Sequence, residues 1–156
     1  MRRFRAALAA GVLVLVFGPV ASAPAQALTT FVVPLSSEEE VPGCPAGVES
    51  GARGTAVIQI DADTGEITYR VVASNLPGSV TPSPPNPGAH IHAGVAGEAG
   101  PVVAPLELTG RDTGLVATGT TTDTELAAAI LANPAGYYVN VHTDVCPAGA
   151  VRGQLG

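Results

Sequence analysis

The three histidines of this chain fall in two short stretches, Ala89-His90-Ile91-His92-Ala93-Gly94 and Tyr138-Val139-Asn140-Val141-His142-Thr143. Imidazole is a common ligand for copper and zinc, and three of them leave a coordination position for water or substrate. Both stretches have the composition of strands, and successive side chains of a strand point to opposite faces. His90 and His92 therefore share one face and Ile91 takes the other. In the second stretch Tyr138, Asn140 and His142 share a face, with Val139 and Val141 opposite. If the two strands pack near each other, the three imidazoles converge. The expected site is one transition-metal ion, copper before zinc, held by His90, His92 and His142. Asn140, Asp144 and Arg152 are the candidates to support the ligands from behind; Asp144 is placed equally well to orient His142 or to serve as a turn residue before Cys146. The competing reading gives the histidines a structural role, hydrogen-bonding across the sheet and holding a long loop.

The two cysteines, Cys44 and Cys146, are each followed by proline, so both belong in turns. In an oxidising compartment such a pair forms a disulfide. The alternative for Cys146, four residues after His142, is a thiolate ligand. Ser36 and Ser37 have no histidine and acid spaced for a nucleophile, so hydrolase chemistry has no support. Glu38-Glu39-Glu40 reads as a solvated acidic run.

The elements that must position these residues read as all-β with one short helix. Strands are expected over 30–35, 54–61, 66–74, 90–92, 102–108, 115–121, 137–143 and 150–155, with 102–108 and 115–121 paired to each other. Residues 54–61 alternate well, with Ala56, Ile58 and Ile60 on the inner face and Gln59 and Asp61 on the other; Asp61-Ala62-Asp63-Thr64-Gly65 is a turn, and Ile67, Tyr69 and Val71 return on the inner face, which makes a hairpin. Residues 75–88 carry five prolines and should lack regular structure. Thr122-Asp123-Thr124-Glu125 matches a capping box with Thr122 as N-cap, and Leu126 to Leu131 are mostly good helix formers. Asn133-Pro134 ends that helix. It is expected to lie as a lid over the sheet edge.

Residues 1–27 have the form of a secretory signal peptide: Arg2, Arg3 and Arg5, then an apolar run, then Ala25-Gln26-Ala27 as the small-residue exit. The expected domain is 28–156, secreted and without a membrane anchor after cleavage. It keeps four arginines and no lysine against 13 acidic residues, a formal charge of −9. Such a surface disfavours nucleic acid and anionic lipid, which need Lys/Arg clusters.

An ordered series of motifs carries a resemblance. Glu40-Val41-Pro42, Gly65-Glu66-Ile67-Thr68-Tyr69, Ala89-His90-Ile91-His92-Ala93-Gly94, Gly100-Pro101-Val102-Val103, Tyr138-Val139-Asn140-Val141-His142-Thr143 and Gly149-Ala150-Val151-Arg152-Gly153-Gln154-Leu155 resemble the CHRD domain, from about Thr30 to Gly156. That resemblance implies an extracellular protein and says little about chemistry. His90-Ile91-His92 with the late His142 is also similar to the copper half of Cu/Zn superoxide dismutase, a Greek-key β-sandwich. By that likeness His90, His92 and His142 match the three non-bridging copper ligands, and Arg152 matches the arginine that guides the anion. No fourth histidine remains as a bridge and the zinc ligands are missing.

The sequence thus points to a Greek-key β-sandwich or barrel with one inserted helix. Its expected role is to bind one metal ion at the three histidines. The alternatives are an extracellular binding module without metal, directed to a protein or surface partner, and a copper-only dismutase-like oxidoreductase.

Overall fold

Three long strands run as a meander: β1 (Leu28–Ser36), β2 (Arg53–Asp61) and β3 (Glu66–Ser74). They belong to a computed structural model that describes residues 28–156 apart from 49, 84 and 85. The leader assigned to residues 1–27 lies outside the described residues. The β2–β3 hairpin closes through Asp61, whose Oδ1 accepts from the backbone N–H groups of Asp63 and Thr64. That use buries Asp61, where alternation alone had placed it outward. Gly65 sits at φ +71°, and a Cβ there would meet Thr124 at 2.6 Å, so the start of the helix at Thr124 packs directly on this turn.

The remaining strands are β4 (Pro82–Ser83) and β5 (Asn86–Pro87), which pair only with each other, then β6 (Ala89–Ala93), β7 (Val102–Pro105), β8 (Gly114–Thr122), β9 (Tyr137–Val141) and β10 (Val151–Gln154). Eight of the ten form one antiparallel sheet in the order β7-β6-β9-β10-β1-β2-β3-β8. An isolated bridge between Leu108 and Ala117 links the segment after β7 to β8, the opposite edge. The sheet therefore curls into a half-barrel, and the all-β expectation holds. Residues 102–108 and 115–121 meet only at that bridge; their ladder partners are β6 and β3. The short β4–β5 pair is regular structure where the prolines of 75–88 had argued for none.

Helix α1 (Thr124–Ala132) buries Leu126, Ala127 and Ile130. Its N-cap is Asp123, one residue later than the capping box assigned: Asp123 Oδ1 accepts from the Leu126 N–H at 2.9 Å. Thr122 belongs to β8 and pairs with Glu66.

One face of the sheet carries the apolar core, including Val33, Ile58, Ile60, Ile67, Val71, Ile91, Val139, Val141 and Val151. Burying aliphatic side chains of this size stabilises by roughly 1.5–3 kcal/mol each. Along β6, β9 and β10 the opposite face is buried as well, and it is polar: His90, His92, Tyr138, Asn140 and Arg152 are each at most 7% exposed. The chain segments around Glu40, Val95–Gly100 and Pro147 cover it. No helix among the described residues is long and apolar enough to cross a membrane.

Candidate metal centre

The register of three strands builds the site. In the β6–β9 ladder His90 lies opposite Asn140 and His92 opposite Tyr138. In the β9–β10 ladder Arg152 lies opposite Asn140 and Gln154 opposite Tyr138. Two rows of polar side chains thus cross the same face. His142 sits one residue past the end of β9, where its N–H donates to the Gly88 carbonyl at 2.6 Å.

The three histidines come together. One ring nitrogen from each of His90, His92 and His142 lies within 4.8 Å of the other two. Ring centroids are 5.4 Å apart for His90–His92, 5.0 Å for His90–His142 and 5.9 Å for His92–His142. Three nitrogens bound to one ion at about 2.0 Å lie about 3.3–3.5 Å apart in a trigonal or tetrahedral set. The widest pair must therefore close by up to about 1.5 Å to grip an ion, a side-chain adjustment.

Hydrogen bonds fix two of the rings. His92 Nδ1 meets the Gly100 carbonyl at 2.9 Å, and His142 Nδ1 meets the Pro147 carbonyl at 3.0 Å. A carbonyl only accepts, so each Nδ1 carries the proton and each Nε2 keeps its lone pair. Those two Nε2 atoms are buried and have no hydrogen-bond partner. Burial holds both imidazoles below the ordinary histidine range, with the carbonyl hydrogen bonds opposing it. The donor set is imidazole-only, with burial favouring the neutral form of His92 and His142, and it is closed to solvent at those two Nε2 atoms. That chemistry fits a transition metal of the copper or zinc type.

A cationic stack stands behind His92. The Tyr138 ring lies parallel to the His92 ring, with centroids 4.7 Å apart and planes 8° apart. Arg152 Cζ lies 3.5 Å from the Tyr138 centroid on a cation–π contact. The Arg152 guanidinium donates to the carbonyls of Glu98 at 2.7 Å and Val95 at 2.8 Å, and to Gln154 Oε1 at 3.3 Å. The loop it holds is the one that ends in Gly100, whose N–H donates to the Tyr138 hydroxyl and whose carbonyl receives His92. Arg152 is 2% exposed, so its fork is engaged by the loop and is not open to an incoming anion.

Asn140 and Asp144 do different work. Asn140 Nδ2 donates to Glu40 Oε2 at 3.3 Å. Asp144 Oδ1 accepts from the Ser79 N–H at 2.9 Å, which pins the proline-rich segment, while His142 takes its partner from Pro147. Glu40 corrects the reading of residues 38–40 as a solvated run. It is 8% exposed, and burial pushes its carboxyl up to about 8 against the opposing pull of Arg152 and Asn140. Gly149, at φ +149°, leaves room for it: a Cβ there would overlap the Glu40 carboxyl. Alternation already placed Tyr138 on the histidine face. Glu40-Val41-Pro42 belonged to the motif series, which set it apart from Glu38 and Glu39. The Gly100 and Pro147 carbonyls had no sequence signal.

Cys44 and Cys146 are bonded, with an S–S distance of 2.01 Å across 102 residues, so Cys146 is not a thiolate ligand. The bridge ties the segment that carries Glu40 to the loop that carries Pro147.

The model of the CHRD domain matches residues 31–155, nearly every described residue. The chain belongs to the CHRD domain family. Comparison with curated proteins and with solved structures returns no match. What this CHRD domain does must therefore be argued from its own polar face.

Proposed function

We propose that this CHRD domain is exported and binds one transition-metal ion, copper before zinc, through His90, His92 and His142. In this reading residues 1–27 are the removed leader and 28–156 the mature domain. The disulfide suits an oxidising compartment. The observation that carries the metal reading is the pair of buried, unpartnered Nε2 lone pairs on His92 and His142. An unsatisfied buried acceptor costs roughly 1–3 kcal/mol. Two of them, aimed into one cluster whose third member is His90, are a cost that a shared cation removes. When bound, the ion contributes Lewis acidity or redox chemistry; the chain's part is to keep the rings neutral, oriented and shielded from water.

The test is thermal unfolding of chelated protein against protein with added Cu(II) or Zn(II). An ion that binds only the folded state stabilises by mass action, about 2.7 kcal/mol at one hundred times its Kd. For a domain of this size that is a rise in Tm on the order of 10 °C. His92→Ala should abolish the rise, since two ligands bind far more weakly than three. Equal rises in wild type and variant would place the ion elsewhere on the acidic surface. The histidines would then be a packed aromatic cluster, a role their edge-to-face ring contacts also suit.

A further inference from the structure

We propose that the three-histidine site selects monovalent copper, Cu(I), over Zn(II) and Cu(II), and that Arg152 sets this preference. The inference rests on the metal reading above and names the ion's charge state. Two features carry it, coordination number and charge.

The donor set stops at three. Among the described residues no further histidine, cysteine, aspartate or glutamate joins His90, His92 and His142 within ligand reach. Both cysteines are oxidised to the disulfide and the sole methionine is Met1. The Nε2 atoms of His92 and His142 have essentially no accessible surface, so a fourth, water ligand would have to enter a closed site. Zinc favours four ligands and Cu(II) a tetragonal set of four or more. Cu(I), a filled-shell monovalent ion, is satisfied by three nitrogens in a trigonal arrangement.

Charge acts in the same direction. Imidazole donors bring no negative charge to offset that of the ion. The Arg152 cation lies over Tyr138, which lies over His92, so it stands roughly 8 Å or less behind the ligand ring. Its fork is spent on neutral carbonyls and an amide oxygen. The carboxyl of this layer, Glu40, is largely protonated at neutral pH and does not cancel the charge. An ion on His92 Nε2 stands roughly 8–10 Å from that cation, and at an effective dielectric of about 20 each extra unit of metal charge is disfavoured roughly fifteen- to thirtyfold.

The experiment measures affinities of the intact disulfide-bonded protein under anaerobic conditions. Cu(I) is supplied with ascorbate, which leaves the bridge intact, and is read by competition with bicinchoninate. Zn(II) and Cu(II) are read by competition with chromogenic chelators. The wild type should bind one Cu(I) per chain more tightly than either divalent ion. Arg152→Met should narrow that ratio roughly fifteen- to thirtyfold, whereas Arg152→Lys, which keeps the charge, should leave it within about threefold. X-ray absorption of the wild-type Cu(I) form should find three nitrogen neighbours, a readout that survives if Arg152→Met fails to fold. Tighter Zn(II) or Cu(II) binding, an unchanged ratio in folded Arg152→Met, or a fourth ligand on Cu(I) would overturn the preference while the histidine site stood. If His92→Ala bound every ion as well as wild type, the metal reading itself would fall.

Discussion

Two backbone carbonyls decide what the histidines are. By taking the Nδ1 protons of His92 and His142, Gly100 and Pro147 leave the Nε2 lone pairs facing the cluster. Burial then keeps both rings neutral below the ordinary histidine pKa of about 6.5. The sign of the linkage follows. As pH falls below about 6.5 the unfolded chain takes up protons that the folded chain refuses, so the metal-free protein loses stability. Chelated protein should show a falling Tm from pH 7 to pH 5, with a shallower fall in His92→Gln; parallel slopes would remove His92 as a cause. Glu40 has the opposite sign. Its folded pKa of about 8 lies above its unfolded value of 4.5, so its contribution is complete below 4.5 and fades as pH rises through 8. Glu40→Gln keeps an acceptor for Asn140 and cannot ionise. It should match wild type near pH 4.5 and exceed it near pH 8 by on the order of 1 kcal/mol or more. Urea unfolding at the two pH values checks this, and an equal gap at both would mean that Glu40 does not titrate in this range.

At the scale of elements, the sequence was most readable where periodicity alone decides. The alternation in β2 and β3 identified Ile58, Ile60, Ile67, Tyr69 and Val71 as inward, and all are buried. The same alternation put His90, His92, Tyr138 and Asn140 on one face. It could not say that this face would be buried, because burial comes from loops whose partners are distant in sequence: Glu40 meets Asn140 across 100 residues, and Arg152 meets Glu98 across 54. Strand pairing at the edges was equally hidden, since residues 102–108 choose β6 for their ladder through the whole core. The helix start shows a local competition. Thr122 and Asp123 both have capping side chains, but the β3–β8 ladder keeps Thr122 extended and Asp123 is left to cap. Asp123→Ala should therefore cost about 1 kcal/mol of folding stability. Thr122→Ala, on the exposed strand end, should stay within about 0.5 kcal/mol. Chemical denaturation midpoints separate the two, and the reverse order would restore the cap to Thr122.

For the whole molecule, the Cys44–Cys146 bridge joins the two loops that enclose the polar face, and it does so across almost the entire domain. A cross-link that closes about 100 residues stabilises by about 4–5 kcal/mol in the chain-entropy picture, because it shrinks the unfolded ensemble. Domains of this kind have total stabilities on the order of 5–15 kcal/mol. Replacing both cysteines with alanine should therefore lower Tm by roughly 15 °C or more. Cys146 is fully buried, so some lost packing adds to the entropic effect. The loop that carries Pro147 is freed by the same change, and with it the carbonyl that orients His142. The variant should thus also show a smaller metal-induced rise in Tm than wild type, even under conditions where it is folded. Melts of both proteins, with chelator and with added metal, read the two effects together. A loss under about 1 kcal/mol would contradict the cross-link's role in stability. An undiminished metal response would show that the bridge holds the fold together without holding the site.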